Sequence, residues 1–182
     1  MKRKLFQFLS FAVILAFMMP ALTNAQAGKA NFAGTWAFNA EKSNMGQPPQ
    51  GQGQPPQGQG QRMGGFGGGN FVAKQEANLL TVERTRNNQE GQPVTTTSKY
   101  TLDGKESINT TGRGESKSVA TYSADGKTLT IVTSRTFDMN GETRTMTTTE
   151  AWSLTSPTML SIVTTRTTQQ GEVKTTAVYD KK

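Results

Sequence analysis

Leu129-Thr130-Ile131-Val132-Thr133-Ser134-Arg135 alternates two kinds of side chain and then ends on a charge. In an extended strand, successive side chains point to opposite faces. Leu129, Ile131, Thr133 and Arg135 therefore share one side. The same pattern stands at Leu80, Val82, Arg84 and Arg86, and again at Leu160, Ile162, Thr164 and Arg166. The opposite faces are small or polar (Thr81, Glu83 and Thr85; Ser161, Thr165 and Thr167), so the Leu/Ile side is expected to face inward. Each arginine then lies about 20 Å from its leucine, at roughly 3.3 Å per residue, where the strand turns. A turn glycine follows each run (Gly91, Gly141, Gly171), and then an aromatic ring (Tyr100, Trp152, Tyr179). Recurrent hairpins of similar length make a meander. Alternating strand directions would bring all three arginines to one rim.

Outward from these runs the chain is strand and turn. Strands are expected near 32–38, 70–76, 79–86, 93–102, 105–111, 116–123, 128–137, 143–154, 159–167 and 173–180. The turns are marked by Ala77-Asn78, Glu90-Gly91, Asp103-Gly104, Gly112-Arg113-Gly114, Asp125-Gly126, Asn140-Gly141, Ser156-Pro157 and Gln170-Gly171. No helix-length apolar stripe interrupts them. This spacing fits an antiparallel sandwich or an up-and-down barrel. The repeat favours the meander barrel, all-β and antiparallel, with about 8–10 strands.

Two segments stand apart. Met1-Lys2-Arg3-Lys4 precedes a mostly apolar run from Leu5 to Met19, with small residues after it. Residues 1–25 read as a cleaved secretory signal peptide, with cleavage after Ala25 or Ala27. The second segment opens at 45. Pro48 to Gln54 reads PPQGQGQ, Pro55 to Gln61 repeats it, and a Gly-rich stretch continues to Gly69. Such composition cannot bury enough surface to offset its chain entropy, so 45–69 is expected to be a disordered low-complexity loop within a single 26–182 domain.

Composition removes several chemistries. The 182 residues include no cysteine and no histidine. That excludes disulfides, thiol nucleophiles, a lipid-anchor cysteine, Ser-His-Asp triads and the usual imidazole or thiolate metal sites. From Gln26 onward there are 17 basic and 13 acidic residues, too slight an excess to argue for nucleic acid. Leu, Ile, Val and Phe number only 22 in that stretch, but 27 threonines, which suit a half-buried pleated surface, partly replace them. Asp138-x-Asn140-Gly141-Glu142 lacks the ligand set of a calcium loop and reads as a hairpin turn. The strands alternate with Thr, Lys and Glu, which argues against an outer-membrane barrel.

Gly34-Thr35-Trp36 resembles the Gly-x-Trp signature on the first strand of the lipocalins. The stretch Phe32 to Ser43 (FAGTWAFNAEKS) is similar to the start of small secreted bacterial lipocalin-like domains. The resemblance implies a barrel whose floor Trp36 seals and whose mouth is bordered by the loop after the first strand. Lipocalins usually carry an arginine over this tryptophan after the last strand; here only Lys181 and Lys182 stand there. A count of ten strands suits the fatty-acid-binding branch of that superfamily better than eight.

The expected function is an exported, periplasmic or secreted, non-enzymatic protein that binds a small amphipathic or anionic hydrophobic ligand. Arg86, Arg135 and Arg166 would meet its head group. Its tail would lie against Trp36, Leu129, Ile131, Leu160 and Ile162. No catalytic residues, metal site or cofactor are expected, and no stable membrane insertion. Each arginine also has acidic neighbours, among them Glu90, Asp138, Glu142 and Glu172, with which it could form rim pairs of little energetic consequence. The alternative function is a structural or interaction module of the cell envelope with no small-molecule ligand.

Overall fold

The computed structural model describes residues 28–46, 68–88, 90–111, 114–139, 141–168 and 171–182. The expected signal peptide and positions 47–67 of the expected loop lie outside the described residues. Ten strands follow in chain order: β1 (Gly34–Asn44), β2 (Phe71–Glu76), β3 (Leu79–Asn87), β4 (Pro93–Thr101), β5 (Glu106–Thr111), β6 (Gly114–Tyr122), β7 (Thr128–Met139), β8 (Glu142–Ser156), β9 (Met159–Thr168) and β10 (Gly171–Lys181). Among the described residues there is no helix.

One antiparallel sheet holds all ten in the order β4-β3-β2-β1-β10-β9-β8-β7-β6-β5. Each strand lies beside its sequence neighbour, and β1 pairs with β10 to curl the sheet into a barrel. The remaining seam, between β4 and β5, has no backbone ladder. There the Asn109 side chain accepts the Lys99 N–H at 2.7 Å and donates to the Lys99 carbonyl at 3.0 Å. Two residues nearer the turn, the Ser107 hydroxyl accepts the Thr101 N–H at 2.9 Å. Side chains of β5 thus stand in for a backbone partner and satisfy groups that would otherwise be orphaned.

Parity places the core as the alternation predicts. Leu80, Val82, Leu129, Ile131, Leu160 and Ile162 are buried, while Val132, the next residue after Ile131, is 39% exposed. The first strand departs from expectation. It starts at Gly34 rather than 32 and runs on to Asn44, and Phe32 precedes it as a fully buried plug. The Asn31 side chain turns the chain by accepting the Ala33 N–H, and the Phe32 N–H is taken by Gln75 Oε1. Beyond Phe38 the register against β10 shifts between Asn39 and Asn44. The Asn39 carboxamide accepts the Lys42 N–H, and the Ser43 hydroxyl accepts the Val178 N–H, so a bulge lengthens the strand instead of ending it.

Candidate functional site: the barrel interior

The closed end is aromatic. Trp36 is fully buried and donates its indole N–H to the Phe32 carbonyl at 2.9 Å. Phe32 meets Trp152 edge-on at 5.9 Å between centroids, and Phe71 packs against both Trp152 and Tyr179. Such tilted and edge-to-face contacts suit the ring quadrupoles. Gln75 and Tyr122 tie the N-terminal lead across this floor, both donating to the Ala30 carbonyl. Lys181, opposite Trp36 in register, sets its ammonium 5.5 Å from the indole centroid. A lysine therefore occupies the place where the resemblance expects an arginine. Gly34 makes room for it, since a Cβ there would stand 2.6 Å from Lys181 Cε.

The apolar residues singled out in the sequence share this lower half. Trp36, Leu129 and Leu160 are completely buried, with Ile131 and Ile162 one rung above the two leucines. The arginines lie on the same inward parity nearer the other end. Arg135 on β7 stands opposite Ser116 and Met146, and Arg166 on β9 stands opposite Thr148 and Val173. They therefore flank β8 one inward rung apart. Arg86, opposite Val94 in the β3–β4 hairpin, comes from the other arc of the sheet and is exposed. Arg135 is partly buried, and its Nε is a buried donor with no hydrogen-bond partner. Of the acidic neighbours, Glu142 pairs instead with Arg144 at 3.0 Å, and Asp138 accepts the Thr143 hydroxyl.

At the arginine rung and just below it the wall is polar: Asn109, Ser116, Ser118, Thr148, Thr164 and Thr175 are all buried. Two charged side chains at this depth are not among the site residues expected from the sequence. Arg84 lies over Phe71, with Cζ 5.1 Å from the ring centroid, and 5.9 Å from that of Trp152. Glu150 has the inward parity of Trp152 and Thr148, and its Oε2 accepts the Trp152 indole N–H at 3.0 Å. Two phenols share their surroundings. Burial pushes Tyr179 up to about 12, with Arg84 and Arg86 pulling down and Glu150 pushing up. Burial also raises Tyr100, with Glu150 adding to the rise while Arg84 and Ser98 oppose it. The interior thus runs from aromatic base through hydroxyls to guanidiniums, with four arginines against the carboxylate of Glu150 below the hairpin tips among the described residues.

The signal for Arg84 was present in the alternation, which places it on the face of Arg86. Glu150 could be found only by counting back from Trp152. Among the described residues, no group of three or more His, Cys, Asp or Glu side chains could hold a metal ion.

No family model matches this chain. No curated protein matches it. Among solved structures, it is similar to the zebrafish ileal bile acid-binding protein crystallised with cholic acid. The match has a TM-score of 0.50 and 17% identity and covers 83% of this chain and 98% of that one. The likeness is one of fold: in this chain, ten antiparallel strands in an up-and-down, nearly closed barrel.

Proposed function

We propose that the protein is an exported, non-enzymatic carrier that holds an anionic amphiphile inside its barrel. The tail lies on the aromatic and aliphatic base near Trp36, Leu129, Ile131, Leu160 and Ile162. The anionic head meets Arg135 and Arg166, with Arg86 reaching in from the opposite arc. The observation that carries this reading is the buried, unpartnered Nε of Arg135 above an apolar base. A guanidinium that leaves a donor without a partner when empty gains a charge-assisted hydrogen bond when a carboxylate or sulfonate arrives. That the similar zebrafish barrel was crystallised with cholic acid, an amphiphilic carboxylic acid, is consistent with such a ligand. The basic n-region, apolar run and small-residue cleavage sites at the start of the chain support export to the periplasm or beyond.

Titration with an apolar anionic dye such as anilinonaphthalene sulfonate tests the reading. Its fluorescence should rise on binding and fall when a fatty acid displaces it. Arg135→Ala should weaken both ligands by about ten-fold, the usual scale for a hydrogen bond to a charged group. No binding across fatty acids, retinoids and pigments would overturn the carrier and leave the envelope interaction module.

A further inference from the structure

Glu150 is an acid in a place that an anion carrier would be expected to leave neutral. It lies opposite Ile131 and Thr164, just above Trp152 and well below the arginine rung of β7. A carboxylate here repels the head group that the arginines attract, so it must do something else for the ligand. Its orientation is fixed, because the Trp152 indole donates to Oε2 at 3.0 Å. A carboxylate oxygen can accept more than one hydrogen bond, so acceptor capacity remains beyond the one the indole uses. The interior therefore offers a pre-aimed, strong acceptor at mid-depth and otherwise mostly donors above it.

We propose that Glu150 is a specificity-determining residue that accepts a hydrogen bond from a neutral hydroxyl on the body of the ligand. This deepens the carrier reading and rests on it. An ammonium group is the poorer fit to the same acceptor, because Arg84, Arg86, Arg135 and Arg166 line the same interior. A purely aliphatic tail is poorer too, since it would strip water from the carboxylate and return nothing. The register sets the spacing. Ile131, opposite Glu150, and Arg135 are four residues apart on β7, which is about 13 Å at roughly 3.3 Å per residue. The preferred ligand therefore carries its hydroxyl in mid-molecule, far from its anionic end.

Competition against the bound dye with three fatty acids tests this: stearate, 12-hydroxystearate and 2-hydroxystearate. The parent protein should bind 12-hydroxystearate about ten-fold more tightly than stearate, while 2-hydroxystearate, with its hydroxyl beside the carboxylate, should gain nothing. Glu150→Ala should bring the ratio for 12-hydroxystearate to one without weakening stearate. Glu150→Gln, which keeps an acceptor and nearly the same shape, should retain part of the preference. Equal binding of all three acids by the parent would overturn the proposal while leaving the carrier standing. So would a preference that persists in Glu150→Ala. Failure of the parent to bind any of the three would overturn this inference, and only failure to bind the dye and the wider ligand panel as well would remove the carrier with it. The comparison of the two hydroxy acids needs no variant, so it decides the matter even if Glu150→Ala does not fold.

Discussion

Asn109 closes the barrel against Lys99 with a single carboxamide, accepting that residue's N–H at 2.7 Å and returning a hydrogen bond to its carbonyl at 3.0 Å. Asn109 is itself buried. Removing the amide leaves two main-chain groups of Lys99 unsatisfied at the seam. Asn109→Ala should therefore cost about 1–3 kcal/mol and speed amide exchange at Lys99 and Thr101. Urea unfolding and native-state hydrogen exchange measure both. Unchanged protection at Lys99 would show that the seam is held by something else.

The inward parity of the repeated runs gives a paired prediction. Leu129→Ala empties a fully buried site and should destabilise the protein by about 2–5 kcal/mol. Val132→Ala, three positions on but facing out at 39% exposure, should change stability by less than about 0.5 kcal/mol. Chemical denaturation of the two variants side by side reads the difference.

Alkaline stability follows from the buried phenols. Tyr179 is pushed up to about 12 and Tyr100 is raised as well, both chiefly by burial, so the native state keeps these protons longer than the unfolded chain. Their contribution is complete below the ordinary tyrosine value of about 10 and is lost as pH climbs from there to about 12. Phenolate absorbance from these two residues should appear together with unfolding, not before it. In Tyr179→Phe the fall in stability over that window should be shallower.

Gly34→Ala should act through the other end of the barrel. The new methyl must displace the Lys181 side chain, which stands 2.6 Å from the added Cβ position, and so takes the ammonium off the Trp36 ring. The lysine side chain is flexible and gives way, but Gly34 sits at φ +153°, which L residues rarely adopt, so backbone strain of about 1–3 kcal/mol adds to the lost cation–π contact of about 0.5–1 kcal/mol. Tryptophan emission and a thermal melt would register the change.

The architecture was legible wherever an apolar residue marked the inward face. Leu80, Leu129 and Leu160 gave three strands their parity. Legibility failed where polar residues do the facing. In Thr147-Thr148-Thr149-Glu150 no local contrast tells in from out, so the interior carboxylate went unmarked. Ser107 and Asn109 look like ordinary strand-edge polar residues, and their task of bridging a missing ladder depends on a strand that only tertiary structure brings near. Phe32 reads as the first alternating residue of β1, because nothing local reveals that Gln75, far along the chain, takes its N–H.

The pairing of β1 with β10 has a kinetic consequence. Asn39 donates to Asp180 across 141 positions of sequence, and the whole of that junction is similarly remote. Every other ladder except β1–β2 joins neighbours through a short hairpin and can zip locally. The ring itself can seal only after residues 171–181 have emerged, so a nascent chain remains an open ribbon with its aromatic base uncovered. Such remote closure belongs to the slow end of single-domain folding, in milliseconds to seconds. During that interval the two unsealed margins are the surfaces most in need of protection from one another's copies.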